Sequence, residues 1–479
     1  MKSKFLLYVL MILSISCSNK KTVNQKQTKG DKTEKPNIII ILVDDAGYVD
    51  FGFMGSPDLK TPYIDSLALS GVKFTDAHVS ASVCAPSRAG LITGQYQQRF
   101  GFEANHTGDV NSGDIGLAKD VKTMASVFKD NNYNTIAIGK WHLGAKEYNH
   151  PNNRGFDEFY GFLAGGRSYF PMENPSTEHM LQFNGERVEF DDYLTDVLGQ
   201  KSVDYVGENK DKPFFMYLSY NAVHTPMHAK ESDLNKFENH PRQTLAAMTW
   251  SMDENVGKLT SKLKDLGIFD NTLIFFLSDN GGAHNNDSSS GPLKGFKGNE
   301  FEGGHRVPFV MTWPKKIKPN QTFEGLSSSL DIFQTALAAA NIQKPEDIIL
   351  DGVNLLPYLN SDKSKNPHQK LFWRKLEESA ARVDNYKLVS LDTFDSTLYD
   401  LSVDLGETQN ISSQDTIKFN ELMKHYKDWE EEMMKPLWRE GQAWENITYH
   451  IQKRLMQNKP VLYKSPSEKK KYSKHNDAK

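Results

Sequence analysis

The sequence predicts an α/β fold: a mostly parallel central sheet flanked by helices, followed by a smaller C-terminal α+β subdomain. Two observations carry this expectation. Four short runs are apolar at successive positions, as in strands buried on both faces: NIIIILV at Asn37–Val43, NTIAI at Asn134–Ile138, PFFMYLS at Pro213–Ser219 and NTLIFFL at Asn271–Leu277. Between them lie helix-like segments, Lys122–Asn131 and Leu245–Gly267. In the second, Met248, Met252, Val256, Leu259 and Leu263 recur at helical spacing and Gly267 stops the run. Strands alternating with helices imply parallel pairing, because a parallel neighbour needs a crossover long enough to hold a helix.

Composition excludes several classes. Lys and Arg number 57 against 61 Asp and Glu, a net charge of −4, so the basic excess of a dedicated nucleic-acid binder is missing. Hydrophobic residues make up 38% of the 479, enough for a sizeable core, which excludes a mainly disordered chain. Only two cysteines occur, Cys17 and Cys84, so a disulfide framework is excluded.

From the N-terminus, Lys2 and Lys4 precede the apolar run Phe5–Ile15. That run is shorter than the ~20 residues of a bilayer span but suits the core of a secretory signal. Cys17 follows Leu13, Ser14, Ile15 and Ser16, which resembles a bacterial lipoprotein signal whose cysteine is lipidated and becomes the first mature residue. Residues 1–16 are then a signal peptide and 17–35 a lipidated, solvated tether reaching on the order of 60 Å. The expected location is the bacterial cell envelope, lipid-anchored to the outer membrane and facing periplasm or cell surface. The catalytic domain is expected over 36–359, the C-terminal subdomain over 360–463 and a polar flexible tail over 464–479.

The apolar runs end in chemistry-bearing residues. The first leads to Asp44 and Asp45, the second to Lys140 and His142, the third to His224, and the fourth to Asp279 and Asn280. Ligands of open parallel sheets bind beyond the strands' carboxyl ends, so these groups should share one rim. Singly, each has an ordinary explanation: a helix cap for Asp44 and Asp45, a turn for Asp279–Gly282, surface positions for the rest. Together, three carboxylates and an amide are hard oxygen donors suited to Ca²⁺ or Mg²⁺ rather than zinc.

The second cysteine opens CAPSRAGLITG, Cys84–Gly94. Pro86 fits the first turn of a helix, which puts Cys84 at the helix start, where backbone donors favour anions, and Arg88 one turn along. This segment resembles the signature of the formylglycine-dependent type I sulfatases, in the alkaline phosphatase superfamily. The likeness continues in order: DDAG at Asp44–Gly47, GKWHLG at Gly139–Gly144, LSDNGG at Leu277–Gly282, KGFKGNEFEGGHRVP at Lys294–Pro308, DGVNLLP at Asp351–Pro357 and LYDL at Leu398–Leu401.

The resemblance implies an alkaline-phosphatase-like catalytic domain and the following roles. Cys84 is oxidised by a formylglycine-generating maturase to 3-oxoalanine, whose hydrated aldehyde is the nucleophile. Asp44, Asp45, Asp279 and Asn280, with an oxygen of residue 84, bind one Ca²⁺ per subunit. Arg88, Lys140 and Lys297 neutralise the sulfate, His224 protonates the departing alcohol with Lys297 beside it, and His142 takes the proton that lets sulfate leave. The family commonly desulfates polysaccharides, here algal glycans such as ulvan or carrageenan, or glycosaminoglycans. Asn105, His106, Arg167, His228 and His305 lie near the motifs, and for each a sugar contact and a surface or packing role both stand open; RGFDEFYG at Arg154–Gly161 reads as structural.

Two other readings share these residues. A phosphodiesterase or phosphonate monoester hydrolase can use the same aldehyde, and a glycan-binding lipoprotein can keep the scaffold without turnover. In the C-terminal part, Leu371–Leu401 alternates β-like runs with turns. A helix is expected over Ile417–Trp438, with Phe419, Leu422, Met423, Tyr426 and Trp429 on one side.

Overall fold

Strand Asn37–Val43 runs through the middle of a ten-stranded sheet. Phe214–Ser219 flanks it on one side and Thr272–Ser278 on the other, both parallel, and Asn134–Lys140 lies parallel beyond Phe214–Ser219. The four expected strands are thus immediate neighbours. The computed structural model describes residues 35–106, 115–360, 366–392 and 394–461. Cys17, the signal expected over 1–16, all of the tether expected over 17–35 except residue 35, and the tail from 464 lie outside the described residues.

Continuous apolarity has its expected cause. Alternate side chains of one strand point to opposite faces, and both faces are covered. Ile38, Ile40 and Leu42 join the cluster packed with Ala85, Ala89 and Ile92 of the Cys84–Thr93 helix and Phe333 of Asp331–Ala339. Ile39, Ile41 and Val43 join the opposite cluster, with Leu198 of Leu194–Glu208 and Met252, Val256 and Leu259 of Gln243–Asp265. Each fully buried aliphatic side chain contributes about 1.5–3 kcal/mol by leaving water. Antiparallel pairing is confined to the flanks, where Phe309–Thr312 runs against both Thr272–Ser278 and Val72–Phe74.

Register levels the strand ends. Leu42 sits opposite Ser219, Val43 opposite Ser278 and Gly139 opposite Ser219. Residues that leave these strands therefore emerge at one height, which is where the chemistry collects.

Lys370–Lys375, Glu378–Val383, Tyr386–Leu391 and Phe394–Asp400 form a four-stranded antiparallel sheet, covered by the helix Thr416–Glu430 through Leu422, Tyr426 and Trp429. The helix ends at Glu430, not at Trp438. Pro436 disfavours helical backbone before it, and the chain is instead captured by the turn at residues 98–101, with Met434 N donating to Gln98 O and Leu437 N to Gly101 O. A second helix, Gln442–Met456, follows and was not anticipated. The described residues belong to one compact unit.

Candidate active site

Two consecutive carboxylates normally point to opposite sides of an extended chain. Here Asp45 takes a left-handed conformation, φ 64°, which Asp tolerates better than most residues. That turn brings Asp44 and Asp45 to the same place. Asp44, Asp45, Asp279 and Cys84 each present a ligand atom, all within 4.8 Å of one another. Asp45 N donates to Asp279 Oδ1 (3.3 Å), and Asn280 Nδ2 donates to Asp45 Oδ1 (2.8 Å). Asn280 Oδ1 is buried among these groups without a hydrogen-bond partner.

Cys84 is the first residue of its helix, after extended Val83. Asn105 caps that start, its Oδ1 accepting from Ala85 N at 3.0 Å. Cys84 Sγ lies 3.6 Å from Asp44 Oδ1 and 3.9 Å from Asp45 Oδ1. Burial pushes the thiol pKa up to about 12, against the pull of Lys140 and Lys297, so the thiol carries its proton at neutral pH.

Three cations face the carboxylates. Lys140 Nζ is 2.6 Å from Asp44 Oδ2, and Lys297 Nζ is 2.7 Å from Asp45 Oδ1. Arg88, one turn after Cys84 and wholly buried, donates through Nε to Asp279 Oδ2 (2.8 Å) and through Nη1 to Ser219 Oγ (2.5 Å). Burial alone would raise the Asp45 pKa, but Lys297, His224 and Lys140 outweigh it and hold the carboxyl below its usual range. Asp279 moves the other way, raised by burial and by neighbouring Asp44.

The histidines are neutral. Burial and then Lys297 lower His224 to about 3; its Nδ1 donates to Thr225 O (2.5 Å), leaving Nε2 as the lone-pair nitrogen, 3.7 Å from Asp45 Oδ2. His142 is lowered well below its ordinary value by burial and Lys140, and its Nδ1 has no hydrogen-bond partner. Gly165 and Gly166 press against the two rings. A Cβ at Gly165 would fall 2.6 Å from His142 Nε2, which explains why no side chain stands there.

All ten expected site residues in the described chain converge: Asp44, Asp45, Cys84, Arg88, Lys140, His142, His224, Asp279, Asn280 and Lys297. The candidate sugar contacts divide. Asn105 lines the cleft, and His106 lies against the His142 ring, centroids 5.0 Å apart. Arg167 is buried over Phe162 and Phe190, its pKa lowered to about 10 by that burial, and His228 packs beside Phe170. His305 takes the packing role: it is wholly buried, stacked on Trp373 at 3.9 Å and bonded to Lys387, so it cannot touch a sugar. Arg154 donates to the carbonyls of Ala118, Lys119 and Val121, a structural role.

Sequence reasoning missed Ser219, the Gly165–Gly166 pair and the wall supplied by Gln442–Met456. Only the last left a trace in the sequence, since Trp444, Ile447, Ile451 and Leu455 recur at helical spacing. A larger surface cavity, about 430 Å³ beside Tyr160, Asp196 and Lys258, contains none of the site residues.

A parallel sheet with acidic groups, cations and a helix-start cysteine at its strand ends defines an alkaline-phosphatase-like hydrolase of anionic esters. The chain belongs to the sulfatase family: the profile described as Sulfatase matches residues 36–342. It is a sulfuric ester hydrolase. A second profile, N-sulphoglucosamine sulphohydrolase, C-terminal, matches residues 297–436. The chain is 34% identical over 408 residues to the uncharacterized sulfatase YdeN of Escherichia coli (strain K12), covering 74% of this chain and 70% of that one. It is 32% identical over 348 residues to the N-acetylgalactosamine-6-sulfatase of Mus musculus, covering 68% of this chain and 66% of that one. Among solved structures it resembles Ps i-CgsB in complex with k-i-k-neocarrahexaose, with TM-score 0.81 and 36% identity over 88% of this chain and 98% of that one.

Proposed function

We propose that the protein removes sulfate from a sulfated polysaccharide or its oligosaccharides, using an oxidised residue 84 and one Ca²⁺. The carrying observation is the convergence of Asp44, Asp45, Asp279 and Asn280 on Cys84, ringed by Arg88, Lys140 and Lys297. The residues fit the cation. Three carboxylates and a buried, unpartnered amide oxygen form a hard oxygen donor set. When bound, Ca²⁺ supplies charge withdrawal from sulfate, and 3-oxoalanine in its hydrated form supplies a hydroxyl nucleophile in place of a protonated thiol.

The chain's own residues do the rest. Arg88 is locked by Asp279 and Ser219, so its guanidinium needs no reorganisation as negative charge builds on the sulfate. Lys140 is paired with Asp44 and Lys297 with Asp45, and both can turn from these carboxylates towards sulfate oxygens. His142 is neutral with an unbonded Nδ1, and its lowered pKa means that it accepts a proton only once anionic sulfate offsets the neighbouring cations. His224 presents Nε2 to the cleft. It must take up a proton in the substrate complex before giving it to the leaving alcohol, and Lys297 beside it is the alternative donor.

The substrate reading draws on two relatives: one structure holds a neocarrahexaose, and another relative is named for 6-sulfated N-acetylgalactosamine. A sulfated galactan or glycosaminoglycan is therefore the proposed class. We further propose a maturase acting on Cys84 and a lipid on Cys17 that anchors the protein to the outer membrane. No helix among the described residues is long and apolar enough to cross a membrane. Peptide mass spectrometry of the native protein tests both: 3-oxoalanine at position 84 and an acylated N-terminal Cys17 are expected, and an unmodified thiol at 84 in active enzyme would refute the nucleophile. Cys84→Ala should abolish sulfate release and leave the fold intact; near-normal turnover would refute it too. Chelation should stop turnover, and Ca²⁺ at ~100 times its Kd should add about 2.7 kcal/mol of stability, seen as a rise in Tm.

A further inference from the structure

One wall of the cleft comes from a segment that the chemistry above does not use. A cavity of about 290 Å³ opens on Asp45, His224 and Lys297, and Trp444, Ile447, Thr448 and Ile451 of the Gln442–Met456 helix close its far side. That helix begins beyond residue 436, where the second family match ends, so both family profiles stop short of it. It is nonetheless firmly held. Ile447 and Ile451 pack on Phe296, next to Lys297; Glu300 N donates to Gln452 Oε1 at 3.4 Å; and Arg439 ties Glu445 to Glu377. Half-buried Trp444 lines the cavity from this helix.

The lining has a definite chemistry. An indole beside the amides of Asn105, Asn285 and Asn299 combines an apolar face with neutral hydrogen-bonding groups, as a sugar ring requires. Among the described lining residues Lys297 is the only lysine, and there is no arginine; His224 and His284 are the other groups able to carry positive charge. Lys297 is already paired with Asp45 and is needed for the reacting sulfate. A second anionic substituent on the same ring would be desolvated with no fixed cation of its own. The volume, about 290 Å³, falls just below the roughly 300–1,000 Å³ of small-molecule sites, enough for one ring rather than a run of them.

We propose that the Gln442–Met456 helix, through Trp444, forms the subsite for the sugar ring bearing the scissile sulfate. This subsite accepts a ring with one sulfate and disfavours the same ring with two. The inference rests on the sulfatase reading and names the part of the substrate that reading leaves open.

Binding to the Cys84→Ala protein with Ca²⁺ present tests it without turnover. The probes are methyl galactosides and glucosides sulfated at single ring positions, with their disulfated counterparts, titrated by calorimetry. The tightest ligand should be a monosulfate, about tenfold or more tighter than its disulfates. Adding Trp444→Ala or Trp444→Leu should weaken it about tenfold, and Trp444→Phe should retain most of the affinity. The Leu variant keeps an apolar side chain on the helix and covers the case in which Ala loosens it; melting curves check both. A disulfate bound as tightly as its monosulfate, Leu and Phe variants equal to the parent, or no binding by any probe would overturn the subsite. Sulfate release from the same probes by wild type reports separately. Trp444-dependent binding without release would remove the catalytic reading alone; release without Trp444 dependence would remove the subsite alone.

Discussion

At residue 165 a hydrogen atom stands where a methyl group would strike the His142 ring at 2.6 Å. Gly165→Ala must therefore push the imidazole or the loop. Misplacement by ~1 Å costs up to about 10²-fold in rate, so kcat/KM for sulfate release should fall about 10- to 100-fold with little change in Tm. Unchanged kinetics would mean that His142 is not held by this contact. The same scale explains what could be read in advance. Asp44, Asp45, Cys84, Arg88 and Lys297 sit in short runs whose residue types specify the chemistry. Ser219 and Gly165 do not, because a strand-end serine and a loop glycine are ordinary until the structure puts Arg88 and His142 against them.

Among elements, the helix Asp331–Ala339 carries a pH-sensitive contact at its first residue. Wholly buried Asp331 accepts from Ser328 N (2.7 Å) and Val353 N (2.8 Å), and its Oδ1 is 2.6 Å from His368 Nε2. Burial would lower the His368 pKa, but the charge and hydrogen bond of Asp331 outweigh it and raise it above the ordinary value. A histidine with a raised folded pKa binds a proton that the unfolded chain releases. Its contribution is full below about pH 6.5 and is lost as pH rises through the raised pKa. His368→Gln should remove that slope from the urea unfolding free energy as pH rises above about 6.5, and parallel curves for the two proteins would refute the pair. At this scale the strands were legible because both-face burial leaves continuous apolar runs. The C-terminal helix end was not, because its stop depends on hydrogen bonds to Gln98 and Gly101, more than 300 positions away in sequence.

Across the whole molecule, the C-terminal sheet is tied to the catalytic part by a buried ionic cluster. Lys387 Nζ, fully enclosed, lies 3.0 Å from Glu302 Oε1, 3.0 Å from His305 Nε2 and 3.3 Å from Glu407 Oε1, while Arg382 forks onto Asp76 at 2.7 Å. Burial would raise the Glu302 pKa, yet Lys387, His78 and Arg382 keep the carboxyl ionised. Lys387→Met leaves those carboxylates short of a partner and should cost about 3–5 kcal/mol. Because the cluster joins both parts, unfolding should stay a single transition shifted as a whole. Two separated transitions, only one of them shifted, would contradict that coupling. Of this cluster, only His305 was singled out in the sequence, with a sugar contact and a packing role both open, since nothing local in GGHR tells a cleft from a core; burial on Trp373 settles it as packing.

The central claim is that these strand ends and residue 84 form a sulfate-ester hydrolase site acting on sulfated carbohydrate. The most direct measurement is the rate at which mature, Ca²⁺-loaded protein frees inorganic sulfate from defined sulfated galactan and glycosaminoglycan oligosaccharides, beside its rate on an aryl phosphodiester. Sulfate release that exceeds phosphodiester cleavage and vanishes in Cys84→Ala is predicted. Faster phosphodiester cleavage, or no sulfate release from protein shown to carry 3-oxoalanine at position 84, would contradict it.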